Sequence, residues 1–218
     1  MSIDLNLARE NMIKQQIRPW EVLDQRVLDC FAAVPRDHYV PEAYRAVAYS
    51  DVSIPLGEGE HMMKPVVEGR MLQALELTGS ENVLEIGTGS GFITACLAHL
   101  ARSVTSVEIN ERLYAGARHR LAPLADTVKL VHADALAGFD PEQRFDAVVV
   151  TGAVLEIPGT FLEWLSPKGR LFVVRGRQPV MEAVLASRVE GGSFRIDSLF
   201  ETELDYLRGA EPKPVFTL

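Results

Sequence analysis

A glycine-rich turn at residues 87–91 joins two segments of different pattern. Residues 83–86 (VLEI) are typical of a buried strand, and a helix-like run begins near Phe92. Glycine lets the chain turn sharply and lets a ligand approach the backbone, so this turn is a candidate binding loop. The loop residues that we expect around a small molecule are Gly87, Thr88, Gly89 and Gly91.

Two residues beside this loop disfavour a dinucleotide as the ligand. A nicotinamide dinucleotide site has a small residue three places after the second glycine, where helix and strand pack closely, whereas this chain has Phe92 there. Glu85 stands at the end of the strand, where its charge would repel a pyrophosphate. Both observations favour a positively charged ligand without phosphate. S-adenosylmethionine, with its sulfonium and ammonium groups, is such a ligand, and we expect Glu85 beside it.

Acidic residues follow the next two predicted strands. Glu108 lies where a doubly wound fold places the acid that binds the ribose of its cofactor. Asp134 lies where methyltransferases commonly contact the adenine amino group. Each acid has a simpler interpretation, because Glu108 could begin the next helix and Asp134 could cap a turn. We favour cofactor binding for both, and the expected contacts of this region are Glu108, Ile109, Asp134 and Ala135.

From residue 82 onward, short β-rich runs alternate with helix-like segments, which predicts a parallel sheet covered by helices. Two further β-rich runs flank Gly191-Gly192 and predict an antiparallel strand pair. The expected fold class is α/β, a Rossmann-like doubly wound sheet with this strand pair at its C-terminal side. The predicted parallel strands are 82–86, 104–108, 128–132, 147–151 and 170–174, and the predicted pair is 180–189 and 194–204.

The first part of the chain has a helical pattern at residues 4–48. A polar, glycine-bearing loop at 56–65 leads into a helix that we expect to extend to about Leu77. Loops of this size outside a core often carry function. We therefore predict an N-terminal helical extension with an active-site loop at residues 1–77, followed by a cofactor-binding domain at residues 78–218.

The composition is that of an ordinary globular protein, with 218 residues that are 47% hydrophobic and 24% charged. A net charge of −8 argues against nucleic acid as a partner, because phosphate binding needs clustered Lys and Arg. No apolar run is typical of a signal peptide or a membrane span. The five histidines lack metal-ligand spacing, so no metal is expected. Cys30 and Cys96 lie in apolar segments, where buried free thiols are expected, and a cytoplasmic location fits them.

Several segments together make the chain resemble the protein-L-isoaspartate O-methyltransferase family. The match covers about residues 8–176, and the combination is more specific than any one motif. The resemblance implies S-adenosylmethionine as cofactor and methyl transfer to the carboxylate of isoaspartyl residues in damaged proteins. The matching segments are 34–41 (VPRDHYVP), 48–51 (AYSD), 54–57 (IPLG), 83–91 (VLEIGTGSG), 145–153 (FDAVVVTGA), Ile157-Pro158 and 165–174 (LSPKGRLFVV).

The loop at residues 59–65 departs from the family pattern. The family's loop resembles Gly-Gln-Thr-Ile-Ser-Gln-Pro, whereas this chain reads GEHMMKP, with Met63 at the position of the serine associated with the active site. Methionine cannot donate the hydrogen bond of a hydroxyl, so we assign no catalytic residue. Met62 could close an apolar lid, while His61 and Lys64 could steer a carboxylate or simply be solvated.

Three hypotheses about function follow from this departure. The first is an isoaspartyl carboxyl methyltransferase that acts on protein or peptide substrates. The second is a methyltransferase of the same fold that acts on another acceptor, either a small molecule or a different protein site. The third is a non-catalytic S-adenosylmethionine-binding module, because the altered loop could fail to support transfer.

Overall fold

The structure, a computed structural model, describes residues 4–212 and is built around a seven-stranded sheet. The strand order is β5-β4-β3-β6-β7-β8-β9. The strands from β5 to β7 are parallel, and β8 and β9 are antiparallel to their neighbours. The strands are β3 Asn82–Ile86, β4 Ser103–Glu108, β5 Val128–His132, β6 Phe145–Val154, β7 Leu165–Arg177, β8 Val180–Arg188 and β9 Phe194–Thr202. The predicted α/β class and the antiparallel C-terminal pair are confirmed.

The order of the strands reverses between β3 and β6. The chain moves outward from β3 to β4 and β5, then returns to place β6 on the other side of β3. In open α/β sheets, a ligand crevice forms at such a reversal, beyond the carboxyl ends of the strands. The topology therefore predicts that a ligand crevice lies beside the residues that follow β3, β4, β5 and β6.

Helices cover both faces of the sheet. Apolar side chains alternate along the central strands, so that Val83 faces one buried cluster and Leu84 faces the other. The N-terminal helices belong to the cluster of Val83, and Phe161 and Trp164 belong to that of Leu84. The helices are α1 Leu5–Asn11, α2 Gln25–Ala33, α3 Pro65–Ala74, α4 Phe92–Leu100, α5 Glu111–Arg120 and α6 Gly159–Glu163, and a π-helix at Met12–Ile17 follows α1.

The polar loop expected at residues 56–65 is instead largely a small antiparallel hairpin, formed by β1 (Ile54–Gly57) and β2 (Glu60–Met62). Glu58 and Gly59 make its two-residue turn, and both have a positive φ, as tight hairpin turns favour. The following helix, α3, ends at Ala74 rather than near Leu77. The hairpin is a separate sheet, so it can present its side chains to the crevice without joining the central strands.

Two other features bear on the earlier expectations. Cys30 and Cys96 are buried free thiols, as predicted, and Cys30 Sγ lies 3.6 Å from the carbonyl oxygen of Cys96. Residues 4–212 contain no helix that combines the length and the apolar character needed to cross a bilayer. The division of the chain at residue 78 remains a prediction.

Candidate functional site

A cavity of about 330 Å³ lies at the reversal of strand order. Thr151, Gly152 and Gln178 line part of it, and most of its other walls come from three parts of the chain that are distant in sequence. They are the β1–β2 hairpin with the residues beside it, the turns after β3, β4 and β5, and the segment 203–208 that follows β9. The site therefore combines the predicted active-site loop, the predicted cofactor loop and a third segment that the sequence pattern did not single out.

The glycine loop after β3 is held in a conformation that glycine favours. Gly87, Gly89 and Gly91 all have positive φ values, of 94°, 54° and 86°. A side chain on Gly87 would collide with Thr151 Oγ1, which donates a hydrogen bond to the Gly87 carbonyl. Gly87 and Gly89 line the cavity, whereas Gly91 packs against Leu121 as the first turn of α4 begins. A ligand can thus approach the backbone at the first two glycines.

Glu108 connects the end of β4 to this loop. Its Oε2 accepts a hydrogen bond from the Gly89 N–H at 2.8 Å, and its Oε1 accepts one from the Asn110 N–H at 2.9 Å. The side chain lines the cavity although the residue is only 5% exposed, and burial raises the pKa of its carboxyl. A carboxylate has about four acceptor sites, so Glu108 keeps acceptor capacity for the two hydroxyls of a ribose.

The position of Asp134 is compatible with both predicted roles, the cap of a turn and a contact to a ligand. Its Oδ1 accepts hydrogen bonds from the N–H groups of Leu136 and Ala137, at 2.8 and 3.2 Å, which caps the turn after β5. It also lines the cavity, beside Ala135 and opposite the half-exposed Ile109. The turn holds the carboxyl group in place while leaving it accessible to a ligand.

Glu85 lies beneath the glycine loop and does not line the cavity. It is completely buried, and its Oε2 accepts hydrogen bonds from Thr94 and Ser106 at 2.5 and 2.6 Å. Burial raises the pKa of Glu85 to about 8, against the opposing effect of these hydrogen bonds. The prediction that the charge of Glu85 repels a pyrophosphate is therefore wrong. The carboxyl is largely protonated at neutral pH, and it does not line the cavity.

Thr88 also points away from the cavity. Its Oγ1 lies 2.6 Å from Ser106 Oγ, so it joins the polar network around Glu85 rather than the wall of the site. A contribution of Glu85, Thr88 or Gly91 to ligand binding remains a prediction, and in this geometry it would act through the shape of the glycine loop. Phe92 is the other residue whose presence disfavours a dinucleotide site. It is buried and packs against Phe31 and Tyr39.

The hairpin contributes two methionines and two basic side chains to the cavity. Met62 and Met63 are each 5% exposed and line it together with His61 and Lys64. Arg36 fixes this segment, because its guanidinium donates a hydrogen bond to the Met63 carbonyl at 2.8 Å. The loop position that the family pattern gives to serine thus does face the site, but with an apolar side chain.

The segment 203–208 closes the remaining side. Its backbone is tied to β6, since Ala153 N–H donates to the Asp205 carbonyl and Leu207 N–H donates to the Ala153 carbonyl, at 2.7 and 2.8 Å. Its side chains reach the hairpin, because Arg208 Nε lies 2.8 Å from Glu60 Oε1 and His61 Nδ1 lies 2.8 Å from Asp205 Oδ2. No local pattern identifies these residues in advance, because their side-chain contacts with the hairpin join positions 144 and 148 residues apart.

The geometry suits S-adenosylmethionine. The cavity offers a buried acidic acceptor in Glu108, backbone that a ligand can approach at Gly87 and Gly89, and a second acid at Asp134. Thr151 and the methionines give it a partly apolar lining. Within residues 4–212, no cluster of three or more His, Cys, Asp or Glu side chains has the arrangement of a metal site.

Comparisons with known proteins identify a family from the sequence and a fold from solved structures. A sequence model of the protein-L-isoaspartate(D-aspartate) O-methyltransferase family matches residues 7–203. A structure from Plasmodium falciparum assigned as a protein-L-isoaspartate O-methyltransferase, solved with S-adenosyl-L-homocysteine, superposes with a TM-score of 0.80 at 18% identity, covering 94% of this chain and 99% of that one. Another protein-L-isoaspartate O-methyltransferase structure gives a TM-score of 0.77 at 22% identity, covering 91% of this chain and 65% of that one.

Proposed function

The chain belongs to the protein-L-isoaspartate(D-aspartate) O-methyltransferase family, and we propose that it transfers a methyl group from S-adenosylmethionine to the free carboxylate of isoaspartyl residues in proteins or peptides. The observation that carries this proposal is the position of Glu108 in the family-matched region. It is a buried acid that lines the cavity and braces Gly89 of the glycine loop.

Different residues of the cavity would bind different parts of the cofactor. Glu108 would accept hydrogen bonds from the ribose hydroxyls, and Asp134 would accept one from the adenine amino group, between Ile109 and Ala135. The glycine loop would lie beside the amino acid part of the cofactor. The bound cofactor supplies an electrophilic methyl group on a sulfonium.

Little acid or base catalysis is required of the chain for this reaction. A carboxylate acceptor is already ionised near neutral pH, so it attacks the methyl carbon without losing a proton first. The contribution of the protein is then to hold donor and acceptor in line and to exclude water. The hairpin and the segment 203–208 suit this role, because both contribute walls of the cavity.

The presence of Met63 favours a second candidate function, which is methyl transfer from the same cofactor to a different acceptor. This side chain faces the cavity at the serine position of the family and cannot donate a hydrogen bond. A third candidate, cofactor binding without transfer, rests on the same substitution.

One comparison separates the first candidate from the other two. The purified protein is given radiolabelled S-adenosylmethionine and either an isoaspartyl peptide or its normal aspartyl twin, and binding of S-adenosylhomocysteine is measured by calorimetry. We expect transfer to the isoaspartyl peptide alone. Cofactor binding without transfer to either peptide would contradict the repair activity and leave the other two candidates.

A further inference from the structure

The side chains of the cavity differ in whether their hydrogen-bond donors are free. Thr151 Oγ1 donates to the carbonyls of Ile86 and Gly87, and Tyr206 donates its hydroxyl to the carbonyl of Gly176. Arg208 donates from Nε to Glu60 and from Nη2 to the Glu58 carbonyl, and its Nη1 makes no hydrogen bond within the described residues. Within residues 4–212, the lining side chains that keep an uncommitted donor are therefore Ser53, His61, Lys64, Gln178 and Arg208.

Of these five, His61 and Arg208 are held in place by hydrogen bonds to other residues, and His61 is the one that lies two positions before Met63 on the same loop. Its Nδ1 lies 2.8 Å from Asp205 Oδ2. An ionised carboxylate can only accept a hydrogen bond, so Nδ1 carries a proton and donates it to Asp205. Asp205 is itself fixed, because its carbonyl accepts from the Ala153 N–H at the end of β6. The ring is thus positioned from the central sheet, and its Nε2 makes no hydrogen bond within the described residues.

The charge state of the imidazole decides what Nε2 can do. In the neutral ring, with the proton on Nδ1, Nε2 is an acceptor and cannot bind a carboxylate. In the imidazolium, both nitrogens are donors, and each can serve one carboxylate. A hydrogen bond between a charged donor and a carboxylate is also stronger than a neutral one.

We propose that His61, oriented by Asp205, binds the carboxylate of the methyl acceptor through Nε2–H and so replaces the hydroxyl that is missing at Met63. This inference rests on the proposed function, because it assumes an anionic acceptor. It assigns acceptor recognition to the contact between the hairpin and the segment 203–208, while cofactor binding stays with Glu108 and the glycine loop.

The groups around the ring make this contact dependent on pH. The hairpin presents Glu58 and Glu60, Lys64 is the second residue after it, and the segment 203–208 presents Glu203, Asp205 and Arg208. Glu60 is paired with Arg208, so Asp205 is the anion in direct contact with His61. An imidazole changes its charge within the physiological pH range, whereas the acceptor carboxylate stays ionised. The KM for the acceptor therefore rises with pH.

His61→Gln tests the proposal with an isoaspartyl peptide as the probe, and Asp205→Asn removes the charge that orients the ring. The control is His99→Gln on the exposed face of α4, away from the cavity. We expect His61→Gln to raise the peptide KM about 10- to 100-fold, as for loss of a charged hydrogen bond. Asp205→Asn should raise it less, and His99→Gln should leave it unchanged. The affinity for S-adenosylhomocysteine, measured by calorimetry, should be retained in all three and shows that the site is folded.

The pH profile is the second measurement. In the wild-type protein the peptide KM should rise as the pH is raised, and in His61→Gln this dependence should disappear. An unchanged KM and an unchanged pH profile in His61→Gln would overturn the inference while leaving isoaspartyl transfer intact. A loss of S-adenosylhomocysteine affinity in both His61→Gln and Asp205→Asn would also overturn it, because the pair would then serve the cofactor. Failure of the proposed function is seen separately, as absence of transfer by the wild-type protein.

Discussion

Arg36 and Glu68 form an ion pair that is enclosed by protein on all sides, since their side chains are 0% and 1% exposed. The remaining donors of Arg36 bind two carbonyl groups, at Ala48 and at Met63. The guanidinium also lies 4.9 Å from the centre of the Phe92 ring. One charged group therefore links α3, the hairpin and the start of the glycine-loop helix.

Removing one partner of this pair should destabilise the protein strongly. Arg36→Met leaves the Glu68 carboxyl and two carbonyl groups without their donor, and we expect a loss of about 3–5 kcal/mol in the free energy of unfolding. Urea denaturation measures this loss. Lys14→Met, which breaks the exposed pair with Glu10, is the control and should change stability by less than about 0.5 kcal/mol. Similar losses in both variants would contradict a special role for the buried pair.

The raised pKa of Glu85 predicts that the stability of the folded protein depends on pH. Its pKa of about 8 in the folded protein exceeds the ordinary carboxyl value, so the folded state holds its proton more tightly than the unfolded state does. The stabilisation from this group is complete below about pH 4.5 and is lost as the pH rises towards 8. Glu85→Gln, which is neutral at every pH, should lose this dependence.

Urea unfolding at pH 6 and pH 8.5 checks this expectation. The wild-type protein should lose more stability over this interval than Glu85→Gln, by an amount on the order of 1–3 kcal/mol. The difference between the two proteins isolates Glu85 from other groups, including Glu68, whose pKa is also raised by burial. Parallel losses in the two proteins would show that Glu85 is ionised in the fold.

Glu108→Ala should weaken binding of S-adenosylhomocysteine by roughly 1.5–3 kcal/mol, the effect of losing hydrogen bonds to an ionised acceptor. Part of this loss of affinity would arise from the glycine loop, because Glu108 also accepts a hydrogen bond from the Gly89 N–H and so holds the loop in place. Glu108→Gln keeps one acceptor oxygen and should lose less. Calorimetry measures the affinities, and thermal unfolding shows whether the fold survives. Unchanged affinity in a folded Glu108→Ala protein would leave Glu108 with a structural role only, as the acceptor for the N–H groups of Gly89 and Asn110.

Met63→Ser should speed methylation of an isoaspartyl peptide. A restored hydrogen bond of about 1–2 kcal/mol corresponds to roughly a five- to thirtyfold gain if it forms in the transition state. Met62→Ser is the matched control, because Met62 is equally buried and also lines the cavity. Steady-state assays of the three proteins decide the matter. No turnover in any of them, with cofactor binding intact, would favour a different acceptor.

The central sheet could be predicted from the sequence because its pattern is local. The predicted strands at 82–86 and 128–132 coincide with β3 and β5, since a run of apolar residues bounded by turns marks a buried strand. β6 and β7 extend beyond the predicted 147–151 and 170–174, because their ends pair with each other and with β8. Strand ends that depend on a neighbour carry a weaker local signal.

The site was predictable only in part. Gly87, Gly89, Glu108, Ile109, Asp134 and Ala135 line the cavity, because the position after a parallel strand fixes where such residues lie. Glu85 could not be placed from its position alone, since its burial depends on Thr94 and Ser106 from other elements. Asp205 and Arg208 were missed, because they reach the site through contacts with His61 and Glu60, 144 and 148 positions away.

The wall formed by residues 203–208 has a consequence for biosynthesis. A nascent chain on the ribosome can complete the parallel strands, the glycine loop and Glu108 well before these residues are made. Until they emerge, however, the cavity lacks one of its sides and His61 lacks Asp205. A ligand stabilises only the form that binds it. S-adenosylmethionine would therefore stabilise the finished fold, and the sheet has to form on the strength of its own packing.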